Sequence, residues 1–245
     1  MTKKFDDDAR NDYENRLLYD ELEYNNMPVR DMVVMPVSVG FARPYISKYH
    51  YSKTMPDSTM YVYAGFYDER LAGIVCFGTG VSKNQFQYIY PHIKKGEYVE
   101  LTRLWSPDGM PRNTESRLVS KSMKMLPDKI KIVLSFADDM QNHKGYIYQA
   151  LSFYYLGIND GGKMIETEDG IIKHPRLLGI YKMRHPEYRS YSNDELMNIL
   201  KYKYVQSGKK HRYLYIRGKN NRKEIYPYIK GKITDYPKID SGLYE

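Results

Sequence analysis

The order of apolar and polar positions divides this chain into short, distinct elements. Residues 1–30 are polar with Leu17, Leu18 and Leu22 near helical spacing, which predicts a helix stopped at Pro28. The β-branched pair Val33-Val34 predicts a strand within Asp31–Val39, and Gly40 to Pro44 leads into a helix bearing Tyr45, Tyr49 and His50. Met60–Tyr67 and Leu71–Gly78 read as two strands turning at Asp68-Glu69-Arg70, the second rich in small and β-branched residues. A loop containing Pro91 and His92 precedes Tyr98–Trp105, which alternates as a strand does, and residues 106–111 (SPDGMP) are turn chemistry. A helix then opens near Asn113, buries Leu118, Met123, Met125 and Leu126, and ends at Pro127-Asp128. Lys131–Phe136 is a short apolar strand, and Gly145–Leu156 is predicted as an aromatic-rich helix stopped by Gly157. Further strands are expected at Met164–Glu166 with Ile171–Lys173, and at Tyr213–Arg217. Three strands, then helix, strand, helix and strand describe an α+β domain on a mixed sheet flanked by helices.

Composition changes this picture in two ways. The 245 residues suit one core with an elaboration, and no run of about 18 apolar residues appears, so no membrane partner is expected. The acidic start lacks a signal sequence, and the single Cys76 cannot form an internal disulfide, so a reducing cytoplasm is the expected location. The net charge of +8 is unevenly placed: Lys201 to Lys232 holds eleven Lys/Arg and one acid, Glu224, whereas the first 24 residues hold eight acids and four bases. A basic end interleaved with some of the 27 tyrosines can bind phosphates and stack bases, with Lys209, Lys210, Arg212 and Arg217 as candidates. The alternative is a solvated basic surface with snorkelling tyrosines.

Three constellations could carry chemistry. The helix opening at Asn113-Thr114-Glu115-Ser116 leaves amides unpaired and can cradle a phosphate, with Arg103 and Arg112 near in sequence; the alternative is an ordinary polar cap. Asp138 ends an apolar strand and His143 follows five positions later, so the two can converge as acid and base; a surface turn with a solvated aspartate has the same spacing. His50, set among Tyr49 and Tyr51, can be a ligand or a packed core histidine. No HExxH, CxxC, Walker or GxSxG pattern occurs, which argues against the common zinc hydrolases, P-loop NTPases and serine hydrolases.

The ordered set YHYS (Tyr49–Ser52), LAGIVCFG, ELTRLW (Glu100–Trp105), PRNTES (Pro111–Ser116), SFADD (Ser135–Asp139) and HKGYIYQA (His143–Ala150) resembles the Mom family of phage DNA-modification proteins over about residues 40–160. That resemblance implies a fold like the GNAT acyltransferases, in which the start of the Asn113 helix occupies the place of the pyrophosphate loop, though without its glycine-rich signature. It implies an enzyme adding a carbamoylmethyl-like group to the adenine amine of double-stranded DNA in an infected bacterium, protecting it from restriction. Carried over by position, it points to His50, Tyr51, Arg103, Ser116, Ser135, Asp138 and Tyr148. It implies acetyl-CoA or another activated acyl donor at Arg103, Arg112, Asn113, Thr114 and Ser116, and an iron held by His50, Tyr51 and Asp138. Catalytic roles fall to Asp138, Arg103, Tyr148, Ser135 and His143, while Tyr49, Tyr51, Tyr146 and Tyr148 could receive a flipped base. The corresponding division is an acidic helical segment at 1–30, a catalytic core at 31–190 and a basic segment at 191–245 that completes the fold; a homodimer is compatible. A GNAT-like acyltransferase acting on a small-molecule or protein amine, and a non-catalytic DNA-binding anti-restriction module, are the alternatives.

Overall fold

A computed structural model describes residues 27–68, 70–80, 83–139 and 143–238. The expected helix over 1–30 therefore lies almost wholly outside the described residues; its end is a 3-10 turn at Val29–Asp31. The described chain forms two compact units, one of residues 27–137, 145–157 and 212–238, the other of 138–139, 143–144 and 158–211. The basic end of the chain supplies one strand of the main sheet, Lys210–Ile216.

The first unit is built on a seven-stranded mixed sheet. Its strands are β1 (Val33–Pro36), β2 (Thr59–Tyr67), β3 (Arg70–Gly78), β4 (Tyr98–Trp105), β5 (Ile132–Asp138), β6 (Tyr154–Asn159) and, far later in the chain, the strand Lys210–Ile216, which enters between β5 and β6. β1 to β4 are successively antiparallel, while β4 and β5 run parallel, connected by the helix Thr114–Met125. The expected α+β class, a mixed sheet flanked by helices, is the observed one.

Helix α1 (Val39–Tyr49) starts where the Ser38 hydroxyl accepts the Phe41 amide at 3.0 Å, and buries Phe41, Ala42, Tyr45 and Ile46. They pack with Val62, Ala64, Ile74 and Cys76 on one sheet face. Helix α2 (Lys83–Ile89) follows β3, and α3 is the crossover helix Thr114–Met125. On the opposite face Leu118, Val119 and Met123 of α3 join Val75, Phe77, Val99 and Val133. Gly73 makes that approach possible: a Cβ there would lie 2.8 Å from the Trp105 carbonyl oxygen and 3.1 Å from Leu118.

The aromatic segment after Gly145 departs from expectation. It forms only a short α4 (Tyr146–Ala150), after which Ser152 turns left-handed (φ 57°) and the chain re-enters the sheet as β6. Its helix-like spacing is overridden by sheet burial of Phe153, Tyr155 and Leu156, residues that also suit a strand. The second unit has its own core. There β7 (Lys163–Glu166) pairs antiparallel with β8 (Ile172–Lys173) and β9 (Lys203–Gln206), and Ile165 packs with Leu178 of α5 (Arg176–Arg184) and Leu196 and Met197 of α6 (Asn193–Ile199). A reciprocal Ser192/Glu195 capping box starts α6. The late strand, β10 (Lys210–Ile216), leads into α7 (Lys219–Ile229).

Candidate active site

Two irregularities open the centre of the sheet. The register of β4 against β5 covers only Tyr98↔Ile132 to Leu101↔Ser135, although β4 continues to Trp105 and β5 to Asp138. Beyond Leu101 the parallel strands no longer pair, leaving unbonded backbone between them. Against β3, Leu101 faces Phe77 and Arg103 faces Cys76, so Thr102 is an extra residue in a bulge. In a regular strand Glu100 and Arg103 would point to opposite faces. The bulge restores both to one face, with Gly78 opposite Glu100 and Cys76 opposite Arg103.

The Arg103 guanidinium is fixed by three bonds. Nε donates to the Thr54 carbonyl (2.8 Å), Nη2 to Thr54 Oγ1 (3.2 Å) and Nη1 to the Thr102 carbonyl (2.6 Å). Desolvation lowers its pKa, while Tyr51, Cys76 and Glu100 act in the opposite sense. Of its five N–H groups, two remain for an anionic group or a developing oxyanion. Gly80 (φ 25°) lies directly on the Glu100 carboxylate; a Cβ there would come within 2.0 Å of Oε2. Sequence spacing does not single out Glu100, Thr54 or Gly80. An acid following Tyr98-Val99 was the available signal for Glu100, but its partnership with Arg103 depends on the bulge.

Tyr148 of α4 and Ser135 of β5 are buried on the α3 side of the sheet. Burial pushes the Tyr148 phenol up to about 12, and nearby Tyr51 and Glu100 push in the same direction. The Ser135 hydroxyl is close enough to favour the phenolate, yet makes no well-formed hydrogen bond of its own. A hydroxyl with no surface exposure and no firm partner marks a place where a ligand group could bind. Cys76 is no nucleophile here: burial raises its thiol to about 12, and it contacts Met55 Sδ at 3.9 Å.

The remaining expected site residues are placed as follows. Tyr51 is 51% exposed and lies over the His50 ring, with centroids 4.3 Å apart. Tyr49 is stacked on Trp105 at 5.4 Å, a packing position. At the start of α3, Asn113 adopts the left-handed conformation (φ 71°) that a glycine would otherwise supply, which is how the turn forms without a glycine-rich signature. Thr114 is buried with its hydroxyl on the Pro111 carbonyl (2.7 Å), and Ser116 Oγ donates to the Asn113 carbonyl (3.0 Å). Arg112 and Asn113 are exposed there, beside the first-turn amides of Glu115 and Ser116.

In the second unit the His143 amide donates to the Asp138 carbonyl (3.1 Å), and the His143 ring is exposed. The carboxylate of this stretch that meets a buried imidazole is Asp139, bonded to Lys144 Nζ (2.7 Å) and 3.3 Å from His211 Nε2. Lys144 first and His211 second hold its pKa below the usual range. Lys209 is exposed and Lys210 half-buried. Arg212 donates to the Leu156 carbonyl (2.7 Å), and Arg217 donates to the carbonyls of Leu126 (2.8 Å), Pro127 (2.7 Å) and Ile130 (2.9 Å). Arg217 thus closes the C-terminal end of α3 and serves the fold.

The sequence matches the Mom protein family over residues 31–238. The chain belongs to that family. It is 28% identical over 220 residues, 85% of each chain, to the "Methylcarbamoylase mom" of Escherichia phage Mu. Among solved structures it is similar to a GNAT family acetyltransferase from Elizabethkingia anophelis with acetyl-CoA bound, at TM-score 0.44 and 11% identity, covering 76% of this chain and 98% of that one. An N-acetyltransferase from Staphylococcus aureus gives TM-score 0.44 and 11% identity over 76% and 97%. No helix among the described residues is long and apolar enough to cross a membrane.

His50 Nδ1 lies 2.9 Å from Ser52 Oγ and 3.1 Å from the Ser52 amide, which leaves Nε2 as the nitrogen that could meet the iron implied for this family. Among the described residues no three His, Cys, Asp or Glu side chains gather.

Proposed function

We propose that this protein is a DNA-modifying transferase that attaches a small acyl-derived, carbamoylmethyl-like group to the exocyclic amine of adenine in duplex DNA, shielding the DNA from restriction. The observation that carries the reading is the 28% identity, spread over 85% of both chains, to a methylcarbamoylase. The group around the parted strands supports it chemically. An adenine amine is a weak nucleophile because its lone pair is delocalised into the ring. Forming its new N–C bond requires that one proton leave the amine and that the donor's leaving group depart with its electron pair.

Glu100 is the carboxylate of the site and is suited to accept that proton. Arg103, with two uncommitted N–H groups, can stabilise negative charge developing on an oxygen. Tyr148 stays protonated at neutral pH and can donate from within the sheet, with Ser135 beside it. Acetyl-CoA alone would deliver only an acetyl group through its carbonyl carbon, so a carbamoylmethyl product needs an activated donor that also brings the amide nitrogen and carries its own leaving group; Arg112, Asn113 and the amides of Glu115 and Ser116 are suited to the phosphates of such a donor. Tyr51, exposed over His50, is the aromatic surface suited to stack a base turned out of the duplex.

Nucleoside mass spectrometry of plasmid DNA from cells expressing the protein tests this reading. A new adenine species, absent when Tyr148→Phe is expressed at equal level, is the expected result, together with resistance of the plasmid to restriction enzymes whose sites contain adenine. An unchanged nucleoside profile with soluble protein would overturn it.

A further inference from the structure

We infer that the exposed flank of α7 is a phosphate-tracking surface for duplex DNA, separate from the residues that surround the parted strands. This rests on the reading of DNA as substrate. Lys219, Arg222, Lys223, Tyr226 and Lys230 follow the i, i+3, i+4, i+7, i+11 spacing that aligns side chains along one side of a helix. All five are exposed. Ile225 and Ile229 point into the core with Phe86, Ile89 and Leu214, anchoring the helix while its flank faces solvent.

Four cations and a tyrosine aligned on one side of an anchored helix distinguish this flank from scattered surface charge. Among the described residues four other lysines meet carboxylates: Lys131 with Glu97 (3.3 Å) and Glu224 (3.6 Å), Lys144 with Asp139 (2.7 Å), Lys201 with Glu168 (2.9 Å), Lys203 with Glu166 (3.1 Å), while Lys94, Lys95, Lys121 and Lys124 resemble the α7 cations in lacking one but do not share a single helix flank with an aromatic ring. Among the described residues no carboxylate lies within ion-pair distance of Lys219, Arg222, Lys223 or Lys230. The one acid of the helix, Glu224, is drawn off the flank by Lys131 and by the Tyr90 hydroxyl at 2.5 Å. Unneutralised cations at helical spacing, with a tyrosine among them, complement a phosphate backbone and release its counterions on binding. Arg212 and Arg217 belong to the same basic end of the sequence but spend donors on backbone carbonyls, so the α7 cations, with Lys209, are what that end leaves exposed and without a carboxylate partner among the described residues.

The test compares the full chain with a quadruple variant, Lys219→Gln, Arg222→Gln, Lys223→Gln and Lys230→Gln, and with a charge-matched control, Lys94→Gln, Lys95→Gln, Lys121→Gln and Lys124→Gln. Binding to a duplex oligonucleotide is followed by fluorescence anisotropy over a salt series, with melting curves confirming that each protein is folded. The α7 variant should bind at least tenfold more weakly at low salt, with the slope of log K against log salt shallower by roughly 0.9 per lost contact. The control should retain a slope near that of the parent. Parent-like binding by the α7 variant, or an equal loss in the control, would overturn the assignment of this surface. A parent protein with no salt-dependent duplex binding would instead overturn the DNA-substrate reading, and this surface with it.

Discussion

Tyr148 shows how burial sets chemistry at a single residue. Its phenol is raised to about 12 from an ordinary 10.0 mainly by desolvation, so the folded protein holds this proton more tightly than the unfolded chain does. The associated stability is complete below pH 10 and is lost as pH rises through about 12, at up to ~1.4 kcal/mol per pH unit. Tyr148→Phe should therefore flatten the fall in stability between pH 10 and 12, measured by denaturant unfolding at fixed pH. At neutral pH the same substitution should lower DNA modification about 100-fold or more while the thermal midpoint stays within a few degrees, because only the donor proton is lost. Normal modification by a folded Tyr148→Phe protein would remove Tyr148 from the site. Thr54 acts through Arg103, accepting from it with both carbonyl and hydroxyl oxygens. Thr54→Val keeps the volume and the carbonyl but removes one acceptor, so modification should fall roughly tenfold. Thr54→Ser should restore most of it; a Val variant as active as the parent would show that the hydroxyl does not position the guanidinium.

At the scale of elements, α3 joins the two parallel strands at the opening and depends on a residue that its own sequence does not contain. The C-cap Leu126 and the turn that follows, at Pro127 and Ile130, give their carbonyls to Arg217, which arrives after β10. Arg217→Gln should destabilise the protein by roughly 2–3 kcal/mol through partly buried carbonyls left without donors. The salt slope of DNA binding, measured on the folded fraction, should not change. A variant with normal stability and a shallower slope would return Arg217 to the DNA surface. The elements also show where sequence periodicity works. The β2/β3 hairpin, β4 and α3 were legible because hydrophobic spacing and turn residues agreed over the whole element. The segment after Gly145 was not, because YIYQALSFYYLG suits both a helix and a strand, and pairing in the sheet decides for the strand from Tyr154 onward.

At the scale of the whole molecule, two units with separate cores share one chain. The core of the second unit is small, with Ile165, Leu178, Leu196 and Met197 buried in it. Leu196→Ala should cost that unit ~2–5 kcal/mol. Hydrogen exchange should then show faster exchange in α5, α6 and β7 with parent-like protection in β2 to β4. Uniform loss of protection throughout the chain would mean that the units unfold as one cooperative body. The sequence by itself determined the α+β class, the hairpin, the strand–turn–helix–strand unit at the centre and the family, because each is written in local periodicity or in an ordered set of short motifs. Tertiary structure alone decided that Glu100 and Arg103 share a face, since the bulge at Thr102 is defined by register against β3. It also decided that β10 lies between β5 and β6, and that Arg217 holds the C-cap of α3 and the turn beyond it. Local spacing records what lies within a few residues, whereas these features arise from backbone pairing and desolvation between segments up to a hundred residues apart.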